Sequence, residues 1–117
     1  MPTFSKTILN GSTDGKNITL GTDTGTNATL IHTATATVNG LDEVWLWATN
    51  ISSNTLPVNI QFGGVETSDQ VSASLAPSDG IILLIPGWCL RNGNSVTGFT
   101  SAPDSINING FVNRIDP

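Results

Sequence analysis

Glu43-Val44-Trp45-Leu46-Trp47-Ala48-Thr49-Asn50 reads as a β-strand, because large apolar and β-favouring side chains fill it until Asn50. Successive strand residues point to opposite faces, so Val44, Leu46 and Ala48 share one face, and Trp45, Trp47 and Thr49 share the other. Both faces are apolar over most of their length, which a strand with one side in water does not require. Two arrangements satisfy the pattern. Either the strand is central and covered on both sides, or another copy of the chain buries the tryptophan face.

Working outward, Leu30, His32, Ala34 and Ala36 alternate with Ile31, Thr33, Thr35 and Thr37, and Asn39-Gly40 turns the chain into the tryptophan strand. After Ser52-Ser53-Asn54, Val58, Ile60 and Phe62 alternate with Asn59 and Gln61, the pattern of a half-buried strand that Gly63-Gly64 ends. Val71, Ala73 and Leu75 alternate with Ser72 and Ser74 up to a Pro77-Ser78-Asp79-Gly80 turn. Ile81 to Ile85 is a continuous apolar run, which reads as a strand covered on both faces and stopped by Pro86-Gly87. Trp88 to Leu90 is a short piece. Val96 to Thr100 and Ser105 to Ile115 close the chain, with Gly110 read as a bulge ahead of Phe111.

No segment has helical periodicity, and turn signals recur about every 10 residues, as in sandwiches and barrels. The fold expected is all-β: an antiparallel, jelly-roll-like β-sandwich of about eight strands over residues 28–117. Residues 1–27 are expected to form an extended N-terminal arm, or a loose hairpin pairing Thr7–Leu9 with Asn17–Leu20. Removing them is expected to leave the sandwich folded.

The 117 residues suit one domain. Charged residues make up 11% of the chain, against about 25% in ordinary globular domains. Thr, Ser, Asn and Gly take their place. The net charge is −5, and Lys6, Lys16, Arg91 and Arg114 are scattered, so no cationic stripe is available to track phosphates and nucleic acid is not an expected partner. Sparse charge also lets copies pack closely. Cys89 stands alone, which excludes an intrachain disulfide, and its neighbours Trp88 and Leu90 suggest a buried thiol. The first residues lack a signal-peptide pattern and no apolar run reaches membrane-spanning length, so synthesis in a cytoplasm and no membrane contact are expected.

Catalytic chemistry has little to draw on. His32 is the single histidine and reads as a packed strand residue, with no nucleophile motif beside it. Asp42 and Glu43 are adjacent, so on a strand they diverge, unlike a glycosidase pair. The remaining acids lie in turns without a calcium-loop spacing. No catalytic residue, cofactor or metal site is expected, and the chain is not expected to be an enzyme. Trp45, Trp47 and Trp88 are candidates for stacking on sugars. Burial in a core or an oligomer contact is the preferred reading, because an aromatic side chain of this size covers ~150–250 Å².

The tryptophan strand, Val58-Asn59-Ile60-Gln61-Phe62-Gly63-Gly64, Ile81-Ile82-Leu83-Leu84-Ile85-Pro86-Gly87, Asn92-Gly93 and Ile106-Asn107-Ile108-Asn109-Gly110-Phe111-Val112-Asn113-Arg114-Ile115 together resemble small β-sandwich virion proteins of tailed bacteriophages, notably phages of cyanobacteria and other aquatic bacteria. Such proteins are similar to capsid decoration, or cement, proteins. The resemblance covers residues 28–115. It implies a homotrimer on the outer surface of the phage head, bridging subunits of the major capsid protein, with the virion as its location after synthesis in the host. The side chains expected at an oligomer or capsid interface are Phe4, Ile8, Leu9, Trp45, Trp47 and Trp88. The alternatives are a carbohydrate-binding or host-adhesion module of a phage fibre or tail, and a head–tail connector component.

Overall fold

In the computed structural model, which describes residues 2–117, the tryptophan strand is β4 of nine and spans Leu41–Asn50. The others are β1 (Thr3–Ile8), β2 (Ile18–Thr19), β3 (Thr29–Thr33), β5 (Leu56–Phe62), β6 (Gln70–Leu75), β7 (Ile81–Leu90), β8 (Ser95–Thr100) and β9 (Ile106–Asp116). They form two antiparallel sheets. Sheet A runs β1-β9-β4-β7, with β2 also on β9, and sheet B runs β3-β8-β5-β6. The chain passes between the sheets so that sequence neighbours mostly end up apart, which is the strand order of a jelly roll. The two 3₁₀ turns, Gly25–Asn27 and Thr67–Asp69, are short connectors. Among the described residues, no helix is long and apolar enough to cross a membrane.

The even-numbered side of β4 builds the core. Val44, Leu46 and Ala48 pack with Ile106, Ile108 and Val112 of β9, Ile85 of β7, and Val58, Ile60 and Val96 of sheet B. Burying each aliphatic side chain contributes ~1.5–3 kcal/mol. Gly98 of β8 lies under this layer, where a Cβ would come within 3.1–3.2 Å of Ile31, Leu20 and Ile60.

One polar cluster crosses between the sheets. Arg114 of β9 donates from Nε and Nη2 to Asp42 of β4, at 2.8 and 2.9 Å. His32 of β3 accepts the Asn10 N–H at Nδ1 (3.2 Å), so its proton sits on Nε2 and is donated to Asp42 Oδ2 at 2.7 Å. The Thr35 N–H adds a further bond to the same oxygen. His32 and Asp42 are fully buried. Burial alone raises the Asp42 carboxyl, but the hydrogen bonds from Arg114 and His32 outweigh it and hold the group below the usual carboxylate range.

Several expectations change. The segment before residue 28 is woven into the sandwich from Thr3 on: β1 pairs with β9 from Thr3↔Asp116 to Ile8↔Phe111, and β2 pairs with β9 at Ile18↔Ile108. The expected hairpin is not formed, because both its segments lie on β9. Leu9, Ile18 and Leu20 are core residues, so the first jelly-roll strand comes from this segment and removing it uncovers the interior. Only seven strands follow residue 27. β7 does not stop at Pro86-Gly87 but continues to Leu90, and it is an edge strand, so Ile81 is 74% exposed and Leu83 is also open. The bulge expected at Gly110 is absent, since β4 and β9 keep one register throughout. The shifts fall between β4 and β7, at Val44/Trp45 and Leu46/Trp47.

Candidate interaction face

The outer side of sheet A is built from residues that the register places in rows. Ile8, Phe111, Trp45 and Pro86 lie opposite one another on β1, β9, β4 and β7. The next row holds Asn109, Trp47 and Leu83, and the one after it Asn107, Thr49 and Ile81. Toward the other end stand Lys6, Asn113, Glu43 and Cys89, and beyond them Phe4, Ile115 and Leu41. A diagonal of apolar side chains therefore crosses all four strands.

Its centre is an aromatic trio. Trp45 and Trp47 have ring centroids 6.2 Å apart and nearly parallel planes, and Phe111 lies 6.4 Å from Trp45 and 6.0 Å from Trp47. These offset contacts are worth ~0.5–1.5 kcal/mol beyond area burial. The Lys6 ammonium sits 4.3 Å from the centre of the Phe111 ring, a cation–π contact. The rings shield each other only in part and all three remain half-buried. Of the two arrangements open to β4, coverage of both faces within the chain does not occur.

Two glycines make the trio possible. A Cβ at Gly110 would collide with the Trp45 carbonyl oxygen, so glycine lets β9 close against β4 there. Gly87 adopts φ 81°, and a Cβ on it would come within 2.8 Å of the Trp45 ring. The indole is oriented by Glu43, whose Oε1 accepts the Trp45 Nε1–H at 2.5 Å and an Asn113 amide N–H at 3.1 Å. The bond from Trp45, then that from Asn113, lowers the Glu43 pKa below its ordinary value.

Two shallow depressions flank the trio. One, of about 160 Å³, is lined by Trp47, Thr49, Ile81, Asn17, Asn107 and Asn109. The other, of about 430 Å³, lies between Phe4, Lys6, Glu43, Asn113, Arg114 and Ile115.

Of the side chains expected at an interface, Phe4 (69% exposed), Ile8, Trp45 and Trp47 share this face. Leu9 does not belong there, because it is 1% exposed and packed in the core. Trp88 sits elsewhere, edge-on to Phe62 with centroids 5.5 Å apart, where β7 and β5 bridge the two sheets, and it is partly exposed. Phe111 was not among the side chains expected at an interface. Its one local signal is the neighbouring glycine, but the register that brings it onto the tryptophans is not written in local sequence. Cys89, expected to be buried, is exposed opposite Glu43 on the edge strand.

The His32–Asp42 pair resembles half of a hydrolase triad, yet both ring nitrogens are occupied and the imidazole is fully buried. Among the described residues, no group of three or more His, Cys, Asp or Glu side chains could hold a metal ion. The arrangement on sheet A offers stacking, apolar area and neutral hydrogen bonds. No family model, no curated protein and no solved structure matches this chain.

Proposed function

We propose that the chain is a viral structural protein that decorates the outer surface of a tailed-phage head, bridging major capsid protein subunits as a homotrimer. One observation carries the reading: an aromatic and aliphatic face crosses β1, β9, β4 and β7 of sheet A and is left in water by its own chain. Strands about 4.8 Å apart and ten residues of about 3.4 Å each give such a face on the order of 600 Å². That approaches the ~800 Å² per partner of a standard interface. Contact around a three-fold axis is heterologous, so the face of one copy meets a different surface of the next. The sequence resemblance supplies the head surface as the location.

Sedimentation velocity of the purified protein, and co-sedimentation with expanded heads lacking it, test the proposal. The expected result is a trimer that binds the heads. A monomer at high concentration that ignores the heads ends the proposal, and a ring of five, six or twelve copies moves the chain to the head–tail connector.

A second reading draws on the smaller depression, where the Trp47 ring, three asparagines and Thr49 offer a neutral cleft with one aromatic wall. Such chemistry suits a sugar ring, as a carbohydrate-binding or adhesion module would need. Quenching of tryptophan fluorescence by host polysaccharide supports it, and a flat titration removes it.

A further inference from the structure

A sandwich with two open sheets has free strand edges, and an unguarded edge is a template for another strand. Three edges of this molecule are guarded. On β3, the Gly11 N–H donates to the Ile31 carbonyl at 2.9 Å. The Asn10 side chain donates to the Thr33 carbonyl at 3.2 Å and accepts the Thr33 N–H at 2.7 Å. On β7, Pro86 has no N–H to give, Gly87 turns to positive φ, and two register shifts break the line. The β1 edge carries Lys6 at mid-strand.

The β6 edge has none of these devices. Gln70–Leu75 contains no charge and no proline, and its register with β5 is unbroken from Gln61↔Gln70 to Leu56↔Leu75. The direction of its free groups follows from β5. The Pro57 carbonyl accepts the Thr100 hydroxyl at 2.6 Å, and the Gly63 N–H reaches the Ser95 carbonyl at 2.9 Å. Odd-numbered residues of β5 thus face β8, and Leu56, Val58 and Ile60 face β6. Their partners Leu75, Ala73 and Val71 point back at them. Ser72 and Ser74 therefore aim their N–H and C=O groups outward, whereas the Gln70 N–H is already given to the Thr67 carbonyl and only its C=O faces out; all three residues are exposed.

Charge selects the occupant. Glu66 and Asp69 stand at one end of the edge and Asp79 just past the other. Antiparallel pairing of two β6 strands would bring these carboxylates toward each other. We propose that the β6 edge is a strand-acceptor site. It takes one extended segment of another protein, free of acidic residues and with Lys or Arg at its ends, as a fifth strand of sheet B. This site is separate from the sheet A face and does not rest on the virion reading.

The probe is a fluorescein-labelled heptapeptide of alternating Thr and Val with Lys at both ends, followed by fluorescence anisotropy. Amide hydrogen exchange on the unmodified protein is read alongside. The peptide is expected to bind and to slow exchange at Ser72 and Ser74. A version with Glu at both ends is expected to bind at least about tenfold more weakly. A version N-methylated at alternate amides is expected not to bind. Ser72→Pro removes an outward N–H and keeps the backbone bonds to β5, losing there only the bond from the Ser72 hydroxyl to Asn59, and is expected to weaken binding by about tenfold or more. Absence of binding by the unmodified protein overturns the proposal, as does equal binding by Ser72→Pro together with unprotected Ser72 and Ser74 amides in the unmodified protein. Protection of those amides that rises with protein concentration alone assigns the edge to a second copy and overturns the choice of partner.

Discussion

The outer faces of the two sheets differ although both cover the same core. Across sheet A one row reads Ile8, Phe111, Trp45, Pro86. Across sheet B the matching row reads Leu30, Thr97, Gln61, Gln70. Asn59, Ser72 and Ser74 extend the polar character of sheet B, with Phe99 and Leu30 as isolated exceptions. The outer face of sheet B is largely polar, with Gln61 buried within it. Sheet A carries aromatic area that water penalises, and its rings reduce the penalty only by stacking on one another. The contrast shows that the apolar content of this chain exceeds what its own core can take, and that the surplus is gathered on one side.

The most severe test removes the strand that widens sheet A. Deleting residues 1–20 takes Leu9, Ile18 and Leu20 out of the core. At ~2–5 kcal/mol for each large buried side chain, the loss rivals the ~5–15 kcal/mol total of an ordinary domain. No cooperative urea transition is expected by near-UV circular dichroism. A sharp transition would mean that sheet A stands without its first strand.

Next in size is the link between the sheets. Asp42→Asn removes the fully buried carboxylate that joins His32 to the partly exposed Arg114 and is expected to cost about 3–5 kcal/mol in urea denaturation. The Asp42 pKa is lowered on folding, so its contribution is complete above the unfolded value of about 4 and is lost as pH falls through the folded value. The acid limb of the stability curve should be shallower in Asp42→Asn below about pH 4.

The faces themselves are compared by Trp45→Ser with Trp47→Ser against Thr97→Ser. The double change on sheet A is expected to cost only about 1–3 kcal/mol, because the rings are half-buried, yet to abolish association in sedimentation. The sheet B change is expected to stay within about 0.5 kcal/mol and leave assembly intact. The smallest effect is a gain. Gln61 is 1% exposed and neither amide atom has a hydrogen-bond partner. Gln61→Leu is expected to add about 1 kcal/mol to the urea stability.

The alternation of Val44, Leu46 and Ala48 against Trp45 and Trp47 was legible because side-chain direction on a strand depends on residue parity alone. The all-β class and most strand positions followed from turn dipeptides such as Asn39-Gly40. The run Ile81 to Ile85 misled, because β7 is an edge strand whose outward side chains Ile81 and Leu83 stay exposed. Ile18 and Leu20 were read as one side of a loose hairpin, because a two-residue strand has too little sequence to show that its partner is β9. Phe111 and Trp45 meet through antiparallel register, and His32 meets Asp42 through sheet-to-sheet packing. Both relations are long-range, and local pattern carries no record of them.

The pairing of β1 with β9 ties together the first and last strands. Every neighbour of β9 in sheet A precedes it in the chain, so the sheet stays unfinished on the ribosome until β9 emerges. High contact order of this kind makes folding slow, on the order of milliseconds to seconds. During that interval the tryptophan strand lacks the Phe111 that will shield it, and the nascent chain is at its most prone to aggregate.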